Sequence, residues 1–215
     1  LASHESSQER RPKGDRRLHL LLLRLLFLPL NRQFRPADLP LQGLDPLCVL
    51  GPQLFDDRRP PDDDNPLGYF EFEPVKATRT DSSWVAKATG RAVKVVHLLL
   101  RELPPEFSYR VILMRRDLDE VLESQRKMLA RSGKPGGTIA ADALKRTFSA
   151  QIDGIIRWVG DQPNFQLLSV EYRDVVSDPR AQAARVSAFL AIAENAAALD
   201  RMAAAVDASL YRNRA

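Results

Sequence analysis

Arg116 closes an apolar run and stands one residue before a natural helix cap, and this junction is where the sequence most plainly carries chemistry. A guanidinium can grip a phosphate-like anion through paired N–H donors. In the stretch YRVILMRRDLDEVLESQRKML (109–129), the pattern from Tyr109 to Met114 predicts a buried strand of about six residues. Asp117 suits the N-cap of a following helix. Asp119 and Glu120 stand where the helix dipole favours negative charge, and Arg126, Lys127 and Arg131 where it favours positive charge. Leu118, Val121, Leu122, Gln125 and Leu129 share one stripe, which gives that helix a core-facing side. A strand passing directly into a helix sets Arg116 at the carboxyl edge of a parallel sheet, where open α/β sheets bind ligands. Arg115 reads as a solvated or ion-paired neighbour.

Arg116, Glu120 and Ser124 follow the spacing of a motif in the sulfotransferases of the P-loop superfamily, which this chain resembles, especially the bacterial members. There a strand ends in Arg, an acid follows four residues later and a Ser eight residues later. The Arg and Ser clasp the 3'-phosphate of 3'-phosphoadenosine 5'-phosphosulfate (PAPS). Leu118 stands where the family often has Pro. Asp64-Asn65-Pro66-Leu67-Gly68-Tyr69-Phe70-Glu71-Phe72-Glu73 resembles the segment after the first helix of those proteins. Val170-Glu171-Tyr172-Arg173-Asp174, with Asp178-Pro179 and Phe189-Leu190, resembles their late strand and following helix, where the tyrosine lies near the nucleotide. The likeness runs over roughly residues 56 to 213. It implies PAPS as co-substrate, Arg116, Ser124 and Tyr172 as nucleotide contacts, and a hydroxyl- or amine-bearing acceptor. Read without it, Arg116 caps the strand and pairs with Asp119 or Glu120, Ser124 is an inert helical serine, and Tyr172 is a half-buried aromatic.

The family's base is a histidine in Lys-Thr-His. Lys94-Val95-Val96-His97 is one residue longer, and on a strand a spacing of three puts two side chains on opposite faces. Lys94 and His97 therefore converge only if the strand ends or bulges before His97. His97 stands both as the base the resemblance implies and as a structural histidine. The family's other half-site, a loop resembling Pro-Arg-Ser-Gly-Thr that cradles the 5'-phosphosulfate, has no match in these residues, and neither has Gly-x-x-x-x-Gly-Lys-Ser/Thr. Gly133-Lys134-Pro135-Gly136-Gly137 follows a helix and reads as a flexible connection.

Residues 1–55 read as an atypical basic, Leu- and Pro-rich leader, largely irregular, and residues 56–215 as the α/β domain. Up to Arg35 the leader has eight basic residues against three acidic ones, so the remaining 180 residues sum to −1 within a total of +4. The basic balance belongs to the leader, and no nucleic-acid partner is expected. A frameshift, misassembly or wrong start in the gene is the expected origin of the leader. Leu18–Leu30 is too short to span a bilayer, is interrupted by Arg24 and lacks a cleavage site, and so reads as an exposed apolar helix.

The single cysteine, Cys48, excludes an internal disulfide, and His4, His19 and His97 show no metal-ligand spacing. The cytoplasm is the expected compartment. In the body, a short helix is expected over 73–78, a buried strand over Arg91–Val96 and a helical turn to Glu102. A long helix follows over 138–160, then a strand over Phe165–Val170 and helices over 179–192 and 195–206. Strands alternating with helices predict a parallel sheet flanked by helices, P-loop NTPase-like, incomplete at the N-terminal strand. Leu47–Leu50 is the expected substitute for that strand.

Three functional classes follow. The first is a PAPS-dependent sulfotransferase lacking its N-terminal loop, with doubtful turnover. The second is a non-catalytic nucleotide-binding or interaction module derived from one. The third, a kinase-like P-loop protein, lacks a P-loop lysine.

Overall fold

The computed structural model of this chain describes residues 17–22, 60, 71–131, 140–192 and 195–211. Three parallel strands form its sheet in the order β1 (Arg17–Leu22), β2 (Ser108–Arg115), β3 (Phe165–Glu171). β2 is central and buried on both faces from Val111 to Met114, as a parallel strand covered by helices must be. Its alternate residues divide between two cores. Tyr109, Val111 and Leu113 join Trp84, Val93, Val95, Leu100, Ile152 and Val159 on one face. Ile112 and Met114 join Val170, Val186, Leu190, Leu199 and Met202 on the other.

A short helix, α1 (Trp84–Lys87), and a 3-10 turn, His97–Glu102, lie on the first face with α3 (Ala141–Gly160). The stripe Phe148, Ile152, Ile155 and Val159 turns α3 toward the sheet. α2 (Leu118–Arg131) leads from β2 toward α3. Beyond β3, α4 (Tyr172–Ser177), α5 (Pro179–Leu190) and α6 (Ala196–Ala204) close the second face. Asp178 caps α5, its Oδ1 accepting from the Ala181 N–H at 3.0 Å, with Pro179 in the first turn. Among the described residues no helix is long and apolar enough to cross a membrane.

The α/β parallel sheet flanked by helices agrees with the sequence reading, and two segments depart from it. Arg91–Val96 is not a strand: apart from a bridge at Arg91 it is irregular, although Val93 and Val95 are fully buried. Both edges of β2 are taken by β1 and β3, so this segment contributes side chains to the core without joining β2's ladder. Arg17–Leu22, expected within or beside an apolar helix, is the strand β1, aligned from Arg17 opposite Ser108 to Leu22 opposite Leu113. The buried edge of β2 needs hydrogen-bond partners, and that tertiary demand outweighs local helix preference in a leucine run. The substitute expected at Leu47–Leu50 lies outside the described residues, as do the polar segment 61–66, Asp64–Phe70 and the glycine-rich 133–137.

On the exposed side of α2, Arg126 grips Glu123 through two bonds of 2.8 and 2.9 Å. That hydrogen bonding holds the Glu123 carboxyl down to about 2 from an ordinary 4.5. A depressed carboxyl stabilises the fold above its unfolded value, and the contribution is lost as pH falls from about 4.5 toward about 2. The pair is solvent-exposed, so the site itself is the better readout than global stability. A carboxyl-carbon NMR titration is expected to give a Glu123 midpoint near 2 that moves up toward 4.5 in Arg126→Ala.

Candidate functional site

The strand-to-helix junction after β2 sets the geometry. Asp117 caps α2, its Oδ1 accepting from the backbone N–H groups of Asp119 (2.8 Å) and Glu120 (3.3 Å). This cap fixes the first turn, and the i, i+4 spacing brings Glu120 under Arg116. Arg116 Nε donates to Glu120 Oε2 at 3.0 Å, with side-chain exposures of only 8% and 1%. The pairing with Glu120, one of the two acids open to Arg116 from sequence, is therefore made.

Glu120 also gathers groups from far along the chain. Its Oε1 accepts from Arg173 Nη2 at 3.0 Å and from the Tyr211 hydroxyl at 2.6 Å. Arg173 Nε donates to the same Tyr211 oxygen at 3.1 Å. The Arg116 guanidinium lies 4.9 Å from the Tyr172 ring centre and 5.5 Å from that of Tyr211. The two rings meet edge to face at 5.1 Å. Three distances near 5 Å describe a compact triangle in which one cation sits on two aromatic rings. The hydrogen bond with Tyr211, followed by that with Glu120, pushes the Arg173 guanidinium's pKa further up. Burial, then the bond to Glu120, raises the Tyr211 phenol, which keeps it a proton donor at neutral pH.

A cleft of about 370 Å³ opens at the carboxyl ends of β2 and β3, within the range of roughly 300–1,000 Å³ usual for ligand sites. Arg115, Arg116, Lys145 and Arg173 line it with Asp117, Glu171 and Asp174, while Glu120 and Asp119 pair with three of these cations; Leu118 and Tyr172 supply its apolar surface. Arg115 faces Glu171 across the strand register at 3.5 Å, the ion-paired role expected of it. Lys145 of α3 reaches Asp119 at 2.5 Å, tying α3 to the start of α2. A site with paired arginine donors and an aromatic wall suits an anion carried on a flat ring system.

The structure thus brings Arg116 and Tyr172 together on the cleft. Ser124 is buried one turn beyond Glu120, and His97 is buried at the head of its 3-10 turn; neither is among the cleft-lining residues. Val96 is still extended and the 3-10 turn begins at His97 itself, while Lys94 Nζ contacts Glu71 Oε1 at 3.4 Å. Sequence reasoning missed Tyr211, for which no local pattern exists. It also passed over Lys145, whose only signal is its place on the polar side of a long helix. Among the described residues no group of three or more His, Cys, Asp or Glu side chains could hold a metal ion.

Compared with known proteins, residues 56–195 match the model of the sulfotransferase family. No curated protein and no solved structure matches the chain.

Proposed function

Because this chain belongs to the sulfotransferase family, we propose that the cleft at the ends of β2 and β3 receives the 3'-phosphate of PAPS, with Arg116 as its principal donor. One observation carries the reading. The Arg116 guanidinium is held by a buried carboxylate and two tyrosine rings, and it lines a cleft at the ligand-binding edge of the sheet. Such a fixed guanidinium loses little freedom when it binds a phosphate.

When bound, PAPS supplies the sulfuryl group, which passes to an acceptor hydroxyl or amine as the bond to the 5'-phosphate breaks and adenosine 3',5'-bisphosphate leaves. Arg116 fixes the nucleotide's position and neutralises its charge. Tyr172 offers its ring on the cleft wall, and Ser124 is assigned a supporting bond from α2. His97 is assigned the acceptor's proton, an assignment that rests on the Lys-x-x-His pattern alone, since the cleft wall does not include it. A cytoplasmic setting belongs to the same proposal and rests on the sequence reading alone.

A second reading keeps nucleotide binding and drops turnover. It is favoured by the placement of His97, which is buried and is not among the residues that line the cleft. Origin of residues 1–55 in a frameshift or misassembly belongs instead to the first reading, in which the intact gene product carries the 5'-phosphosulfate loop, and resequencing the gene upstream of codon 70 tests it.

Calorimetry with adenosine 3',5'-bisphosphate and adenosine 5'-monophosphate tests the shared core of both readings. The bisphosphate is expected to bind at least tenfold more tightly, the worth of a charge-assisted phosphate contact of about 1.5–3 kcal/mol. Equal affinities would contradict both. Transfer of labelled sulfate from PAPS to a panel of phenols, alcohols and amines then separates enzyme from binding module.

A further inference from the structure

Tyr211 reaches Glu120 across 91 positions of sequence, and its contact at 2.6 Å is shorter than those of Arg116 and Arg173 with that carboxylate, both 3.0 Å. Glu120 has two oxygens with different tasks. Oε2 faces Arg116, and Oε1 takes the Tyr211 hydroxyl together with Arg173. The position of Oε2, and so of the Arg116 Nε edge, depends on what Oε1 is tied to. Tyr211 ties it twice over, directly through its hydroxyl and indirectly by accepting from Arg173 Nε. Its ring adds a third restraint, closing the triangle with Tyr172 under the guanidinium. Tyr211 directly follows the 3-10 turn Ala208–Leu210, whose start is pinned by Asp207 Oδ1 accepting from the Ser209 N–H at 2.9 Å. The turn therefore delivers the tyrosine at a set place.

We propose that Tyr211 is a positioning residue for the anion site: through Glu120 it sets the orientation in which Arg116 meets a phosphate, and the segment 207–211 belongs to that site. The proposal deepens the reading of the cleft as a 3'-phosphate site and rests on it. Arg173 shares the role from the cleft side, where its side chain is 56% exposed while its hydrogen bonds run inward to Glu120 and Tyr211.

The test is the ratio of affinities for adenosine 3',5'-bisphosphate and adenosine 5'-monophosphate in the wild type and in Tyr211→Phe. Phenylalanine keeps the ring and removes only the hydroxyl. The variant is expected to weaken bisphosphate binding roughly 3–10-fold, the worth of one hydrogen bond, while monophosphate binding stays within twofold. Unchanged bisphosphate binding, or equal weakening of both ligands, overturns the proposal, because a merely structural tyrosine would not discriminate between the two. A wild type that does not distinguish the ligands overturns the reading of the cleft itself. In the ligand-free protein, exchange of the Arg116 Nε proton with solvent supplies a readout independent of binding. It is expected to quicken in Tyr211→Phe, and an unchanged rate also counts against the proposal.

Discussion

Glu120→Ala is expected to lower the unfolding free energy by about 3–5 kcal/mol, the cost of removing one partner from a buried ion pair. The carboxylate is 1% exposed and Arg116 is 8% exposed, so the substitution leaves a guanidinium charge in a place water scarcely reaches. The Tyr211 hydroxyl loses an acceptor at 2.6 Å at the same time. Arg173 softens the loss only for itself, since at 56% exposure it can be rehydrated. Glu120→Gln keeps an acceptor oxygen and the side-chain volume, and it should recover part of the stability. Urea denaturation with both variants measures this. A loss in Glu120→Ala below about 1 kcal/mol, the level of surface pairs, would mean that the pair is hydrated in solution.

Arg116→Ala is expected to weaken adenosine 3',5'-bisphosphate roughly 10–150-fold, equivalent to about 1.5–3 kcal/mol for hydrogen bonds between charged groups. Affinity for adenosine 5'-monophosphate should change far less, because the lost contact is with the 3'-phosphate. The substitution also leaves Glu120 with Arg173 and Tyr211, so the carboxylate remains held by a cation and a hydroxyl. The binding loss should therefore exceed the loss of thermal stability. Arg116→Lys keeps the charge but not the fork or the guanidinium's place over the Tyr172 ring, and it should restore only a minor part of the affinity. Calorimetry on the three proteins reads all of this in one series.

Much of the frame could be read from short-range physics. The passage from the β2 run to α2 is legible because the residue pattern changes period across it and Asp117 marks the cap. The same holds for α3, whose stripe of Phe148, Ile152, Ile155 and Val159 has no competing pattern, and for α5, announced by Asp178-Pro179. Arg91–Val96 has the composition of a strand, yet being a strand also requires an edge to pair with, and sequence does not count free edges. β1 fails for the mirror reason: a leucine-rich run reads as helix until β2's open side is considered.

The site divides along the same line. Arg116 and Glu120 lie four residues apart, so their pairing was already one of two open alternatives. The Tyr172 ring joins them from β3's end, where the family resemblance had drawn attention to it. Tyr211 gives no signal of its own, because its contact with Glu120 spans 91 positions of sequence. Its role becomes visible only when α2 and the 207–211 segment are seen together.

The most direct measurement is a crystal structure of the protein with adenosine 3',5'-bisphosphate. The account predicts the 3'-phosphate within about 3 Å of the Arg116 guanidinium, the normal reach of a charge-assisted bond, at the carboxyl ends of β2 and β3, with Tyr211 still bonded to Glu120. A nucleotide bound elsewhere, or bound in this cleft with its 3'-phosphate turned to solvent and Arg116 undisturbed, would contradict it.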